Sequence, residues 1–136
     1  MYNQPMLKDD ALKGKTIVVT GGGTGLGKAM GTYFLKLGAN LVITSRKLEV
    51  LQKTADEMAA ETGGQVLAVQ CDVRDAAQVE NVLAETLAKF GSVDVLVNNA
   101  AGNFPAPAEE MTPNGFRTVV DIVLNGTYNC SREFAV

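Results

Sequence analysis

The 136-residue chain contains no histidine. Triads built on imidazole and metal centres ligated by imidazole are therefore excluded. Cysteine is nearly absent as well: Cys71 and Cys130 fall in segments that read as buried strand and buried helix. They read as small core residues in a reducing compartment rather than as a disulfide. No apolar run is long enough to cross a bilayer. There is no basic run, and a net charge of −3 offers nucleic acid no electrostatic footprint. The N-terminal segment Met1–Asp10 is polar and contains acid, which fits neither a signal peptide nor a transit peptide. What these absences leave is a chain of 46% apolar and 20% charged residues, enough for one domain with a real core. Cytoplasm is the default location, and no metal, membrane or nucleic-acid partner is expected. The domain is expected to take in residues 1–136, with residues 1–12 as a flexible N-terminal segment.

What is present is organised around Lys15–Lys28, KTIVVTGGGTGLGK. The run Ile17-Val18-Val19, between Gly14 and a glycine cluster, predicts a buried strand. The cluster feeds an amphipathic helix with Ala29, Met30, Tyr33, Phe34 and Leu37 on one face. A strand that turns through glycines into a helix makes an anion site, because the first helical turn has unpaired N–H groups and the positive end of the dipole. A nucleotide is the expected ligand. The fingerprint G-x-G-x-x-G is absent in every register. Gly22, Gly27 and Lys28 nearly form a phosphate loop, but Ala29 stands where Ser or Thr should hold Mg²⁺. Thr20-Gly21-x-x-x-Gly25-x-Gly27 does fit T-G-x-x-x-G-x-G, and here the chain resembles the short-chain dehydrogenase/reductase family. A glycine-rich turn that only tightens the connection is the alternative this segment leaves open.

Further along, strand and helix patterns alternate. Asn40–Ser45 reads as a second strand after Gly38-Ala39. A helix with Leu48, Leu51, Ala55, Met58 and Ala59 at helical spacing closes on Gly63-Gly64. Gln65–Cys71 reads as a third strand, and Asp75 can cap a helix whose stripe is Val79, Val82, Leu83, Leu87 and Phe90, ended by Gly91. Ser92–Asn98 reads as a fourth strand, followed by a loop over Ala100–Met111. Thr112-Pro113 looks like an N-cap and N1 pair opening a long helix with a stripe of Phe116, Val119, Val120, Val123, Thr127 and Tyr128. Asn125-Gly126 interrupts that stripe, which predicts a kink or an inserted water. The pattern predicts an α/β fold: a Rossmann-type doubly wound parallel sheet of about four strands, order 3-2-1-4, flanked by helices. Ligands of such sheets sit beyond the carboxyl ends of the strands, where the winding reverses.

Each strand is followed by residues suited to that place. After the second come Ser45-Arg46-Lys47, where an NAD site usually carries a carboxylate for the ribose 2′-hydroxyl. A hydroxyl and a guanidinium suit a 2′-phosphate instead, so NADPH is the expected cofactor. Solvated charges at a helix start are the plainer alternative for Arg46 and Lys47. After the third strand, Asp72 and Val73 match the family's adenine contact, though a lone Asp here reads equally as a turn residue. After the fourth, Asn98-Asn99-Ala100-Ala101-Gly102 matches the family's N-N-A-G with one extra alanine. The resemblance thus implies a cofactor site of Gly21, Gly22, Gly23, Thr24, Gly25, Leu26, Gly27, Ser45, Arg46, Asp72, Val73, Asn99, Ala100 and Gly102.

The run Asn98–Phe104, with CDVRD at Cys71–Asp75 and DIVLNGT at Asp121–Thr127, narrows the resemblance to the 2,4-dienoyl-CoA reductases. That implies an acyl-CoA substrate near Arg46, Arg74, Phe104 and Thr112, and a homotetrameric full-length protein. It also implies that Asn125 distorts its helix and takes part in a proton relay. For Phe104 an aromatic plug under a loop is an equal reading. The family's Tyr-x-x-x-Lys pair is missing: four residues beyond Tyr2, Tyr33 and Tyr128 stand Met6, Leu37 and Arg132. A guanidinium does not give up a proton, so Arg132 is no substitute, and Tyr128 reads as core. The 136 residues therefore read as the N-terminal half of a longer enzyme, expected to be inactive alone and to leave strand four as an open edge. Other readings kept open are a 3-oxoacyl reductase or sugar alcohol dehydrogenase, a nucleotide-binding module without redox activity, and a phosphate-loop kinase.

Overall fold

The computed structural model describes residues 6–103 and 105–135. Four parallel strands, β1 (Thr16–Thr20), β2 (Asn40–Ser45), β3 (Val66–Gln70) and β4 (Val95–Val97), form one sheet of order β3-β2-β1-β4. β1 is central, with Val18 beside Val42 on one side and Leu96 on the other. The expected order is therefore found. Strands three and four are shorter than Gln65–Cys71 and Ser92–Asn98, and the flanking residues go to loops that shape the ligand end.

Side chains alternate along β1, so its two faces feed two cores. Ile17 and Val19 pack with Leu41 and Ile43 of β2 under α1 (Gly25–Lys36) and α2 (Leu48–Thr62), against Leu35, Leu51, Ala55 and Met58. Val18 and Val42 pack on the opposite face with Val79 and Val82 of α3 (Ala76–Phe90) and with Val69, Cys71, Val73 and Cys130. Asp75 caps α3, its carboxylate accepting from the Ala77 and Gln78 N–H groups, and Gly91 ends that helix in the left-handed region.

The face that α1 buries is the expected one in part: Leu37 is buried and Phe34 packs on the first core. Gly27, Gly31 and Leu35 are buried, whereas Ala29 is exposed and Tyr33 is 41% exposed. Glycine inside a helix carries no apolar signal, yet here it sets the packing. A side chain at Gly31 would stand 2.9 Å from both Leu41 and Met58, so only a bare backbone lets α1 lie this close.

The expected long helix is broken in three: α4 (Pro113–Val120), a π-helical segment (Asp121–Asn125) and α5 (Gly126–Phe134). The Gly126 N–H reaches back five residues to the Asp121 carbonyl, which is the π pattern. Distortion next to Asn125-Gly126 is thus found, as a widened turn. The stripe is not core: Phe116 is 60% exposed and Tyr128 63%. Near the start of the chain, the Leu12 N–H donates to the Leu37 carbonyl at 2.9 Å and Leu12 packs on the first core. That ties down the last residue of the segment expected to be flexible.

Candidate nucleotide-binding cleft

Beyond the carboxyl ends of the strands lies a cleft of about 390 Å³. Its wall comes from Gly21 and Thr24–Gly27 after β1, from Thr44 and Ser45 at the end of β2 with Arg46 just beyond, and from Cys71, Asp72 and Val73 after β3. Asn99, Ala100 and Ala101 after β4 complete it, with Ile122 of the π segment. Residues from five separate chain segments thus meet at the reversal point of the winding.

The glycine turn fits a phosphate on geometric grounds. Gly21 has φ of +65°, which L side chains rarely adopt. A side chain at Gly27 would collide with the Gly21 carbonyl oxygen and stand 2.6 Å from Asn99 Nδ2. The first turn of α1 holds no acid and no side chain caps it, so its N–H groups and positive dipole face the cleft. Gly22 serves differently: it is buried against Ile43, and its N–H donates to the Thr44 carbonyl at 3.2 Å. Lys28, the lysine of the near phosphate-loop match, points elsewhere, pairing through Nζ with Glu57 Oε2 of α2 at 2.7 Å. That bond holds the Glu57 carboxyl below the usual range. The phosphate-loop reading loses its lysine.

A recess of about 190 Å³ adjoins the cleft, walled by Gly21, Gly23, Thr24, Ser45, Arg46, Lys47 and Val50. Two cations and two hydroxyls line it, and no carboxylate does. Lys47, which reads in the sequence as a solvated charge, belongs to this wall.

Asn99 ties the ends of β1 and β4 together. Its Nδ2 donates to the Thr20 and Gly21 carbonyls at 3.0 and 3.2 Å. The Thr20 hydroxyl answers by accepting the Asn99 and Ala100 N–H groups at 3.0 and 2.9 Å. Thr20 was visible only as the first letter of a motif, and no local pattern reveals that its oxygen is the joint. Gly102 lies outside the cleft wall, packed under Ile122, where a side chain would come within 2.9 Å.

At the third strand end, Asp72 and Arg74 are paired. Arg74 Nε donates to both Asp72 carboxylate oxygens, at 2.9 and 3.1 Å, and its terminal nitrogen joins the second. The fork holds the Asp72 carboxyl below the usual carboxylate range. Arg74 is therefore engaged with Asp72 and does not line the cleft. Thr112 is also engaged, its hydroxyl accepting from the Gly115 N–H at 3.0 Å as the cap of α4. Asn125 is exposed and donates through Nδ2 to Asp121 Oδ1 at 2.8 Å, so Ile122 rather than Asn125 faces the cleft from this segment. Phe104 lies outside the described residues. Burial pushes the Cys71 thiol up to about 12 and Cys130 up to about 11, which leaves neither a nucleophile.

The family model described as short chain dehydrogenase matches residues 15–136. The chain belongs to the short-chain dehydrogenase family. A probable 2,4-dienoyl-CoA reductase of Caenorhabditis elegans is 47% identical over 96% of this chain and 43% of its own length. A peroxisomal 2,4-dienoyl-CoA reductase of Arabidopsis thaliana is 41% identical over 90% of this chain and 41% of its own. The chain thus spans less than half the length of these curated relatives. Among solved structures, L-sorbose reductase from Gluconobacter frateurii, complexed with NADPH and L-sorbose, aligns with a TM-score of 0.87 at 27% identity. That match covers 94% of this chain and 49% of the reductase. Among the described residues no helix is long and apolar enough to cross a membrane.

Proposed function

We propose that the chain is the cofactor-binding half of an NADPH-dependent reductase of 2,4-dienoyl-CoA esters. The cofactor reading is carried by the recess beside Ser45, Arg46 and Lys47, where nothing anionic would oppose a 2′-phosphate. When bound, NADPH supplies a hydride. The glycine turn and the α1 N-terminus would hold its pyrophosphate, Ser45 and Arg46 the 2′-phosphate, Asp72 and Val73 the adenine, and the backbone of Asn99, Ala100 and Ala101 the nicotinamide ribose, with Gly102 packed behind them under Ile122. The acyl-CoA reading is supported by the names of the relatives. In it, Arg46 meets the phosphates of coenzyme A. Arg74 joins only by turning away from Asp72, which would leave the Asp72 carboxylate to the adenine. Thr112 would likewise have to give up its cap.

A sugar-type reductase of the same family is the second reading, favoured by the close overlay of the L-sorbose enzyme. We further propose that the full-length protein is a homotetramer, supported by the apolar exposure of Phe116, Leu124 and Tyr128 along the last helices. A cytoplasmic location is the default from composition, and tagging the full-length protein tests it against the peroxisomal naming of the Arabidopsis relative.

Titration of this chain with NADPH, NADH and ATP, followed by melting temperature, tests the cofactor. NADPH is expected to stabilise it most, and Arg46→Ser to erase the advantage over NADH. Equal stabilisation by NADH and NADPH overturns the reading. With no Tyr-x-x-x-Lys pair in its 136 residues, the chain is expected to leave NADPH unoxidised in the presence of a dienoyl-CoA. Steady oxidation by the pure chain overturns that.

A further inference from the structure

One face of α5 has a role beyond filling core. Gly126, Asn129 and Cys130 recur at helical spacing and all point at the loop between β3 and α3. Cys130 packs in the same core cluster as Cys71 and Val73. Gly126 is buried, and a side chain there would stand 2.5 Å from Val73 Cγ2, so the helix rests on Val73 itself. Asn129, half-buried, donates from Nδ2 to the Val73 carbonyl at 3.0 Å across 56 residues of sequence. Inside the loop, Gln78 Oε1 takes the Asp72 N–H at 2.9 Å and Asp72 Oδ1 takes the Arg74 N–H at 3.0 Å. Among the described residues, the Val73 carbonyl is the one point in Asp72–Arg74 that takes a hydrogen bond from a side chain outside the loop and its following helix.

We infer that Asn129 is a positioning residue for recognition of the adenine ring. By fixing the Val73 peptide it sets the direction of the Asp72 carboxylate on one side and of the Val73 side chain on the other. The inference rests on the proposed placement of adenine against Asp72 and Val73. It adds that this subsite is aimed from α5, the helix that continues the π segment whose Ile122 walls the same cleft.

The test compares NADPH with its hypoxanthine analogue, in which a carbonyl oxygen replaces the exocyclic amine. The parent chain is expected to prefer NADPH. Asn129→Leu is expected to shrink that preference by about fivefold, the scale of one neutral hydrogen bond, and Asn129→Gln, which keeps the donor, to restore part of it. Binding of inorganic pyrophosphate, which needs only the glycine turn, is expected to stay unchanged in both variants. Asn129→Ser is the milder variant should Leu impair folding, as judged by circular dichroism. Equal weakening of NADPH, its analogue and pyrophosphate means a merely structural role and overturns the inference, as does an undiminished preference. A parent that binds NADPH and its analogue equally overturns instead the placement of adenine at Asp72.

Discussion

The two flanks of β1 are built to different standards. On one side, β2 has Leu41, Val42 and Ile43 fully buried, with Leu51 and Met58 of α2 closing the layer. On the other, Val95 of β4 is 41% exposed, and α4 and the π segment contain no fully buried residue. Yet both flanks supply the cleft. The β2 flank is held by apolar packing, which is dense and insensitive to direction. The β4 flank is held where it matters by a few hydrogen bonds at the strand tips, between Thr20 and Asn99 and between Asn129 and Val73. Packing keeps the first wall in place, while directional bonds aim the second.

Deletion of buried volume should separate the two flanks most widely. Leu51→Ala is expected to cost about 2–5 kcal/mol, whereas Leu124→Ala, 65% exposed, stays within about 0.5 kcal/mol. Urea unfolding checks both, and comparable losses would refute the contrast between flanks. Next in size are the glycines. Gly27→Ala meets a carbonyl oxygen and an engaged amide, neither able to yield, and is expected to cost about 1–3 kcal/mol with loss of NADPH binding. Gly126→Ala meets the Val73 side chain at Cγ2 and Cβ but no backbone atom closer than 3.6 Å, so its loss in the same unfolding assay is expected to be smaller. The reverse order would show that the loop around Val73 is stiffer than the joint between Gly21 and Asn99.

The smallest effect concerns pH. The Arg74 fork lowers the Asp72 pKa in the folded chain, so its contribution is present above the ordinary carboxylate pKa and disappears as pH falls through the lowered value. Arg74→Met is expected to move the Asp72 titration upward, read by carboxyl carbon NMR, with the acid limb of NADPH binding following it. An unmoved titration would mean that the fork does not hold Asp72 in solution.

Much of this was legible beforehand because it is local. β2 has the expected bounds, Asp75 and Thr112 cap their helices, and the strand order follows from handed crossovers. The cleft residues after each strand were legible too, since the topology brings strand ends together. What stayed hidden is contact across distance. Gly31 reads as a helix weakness and is a packing surface. Tyr128 reads as core because it keeps the period, and it is exposed. Arg74 and Thr112 read as substrate contacts, yet local hydrogen bonds engage both. Asn129 carries no signal at all, since a polar residue on a helix is ordinary until its partner 56 residues away is known.

The joint at Thr20 also has a consequence in time. Its hydroxyl waits for N–H groups 79 and 80 residues further along the chain. At ribosomal rates of about 5–20 residues per second, the partners are made about 4–16 s after Thr20 itself. During that interval the glycine turn exists without the wall opposite it. In a nascent chain the turn should therefore gain its opposite wall abruptly, when the segment around residue 100 clears the exit tunnel, and not gradually as the glycines emerge.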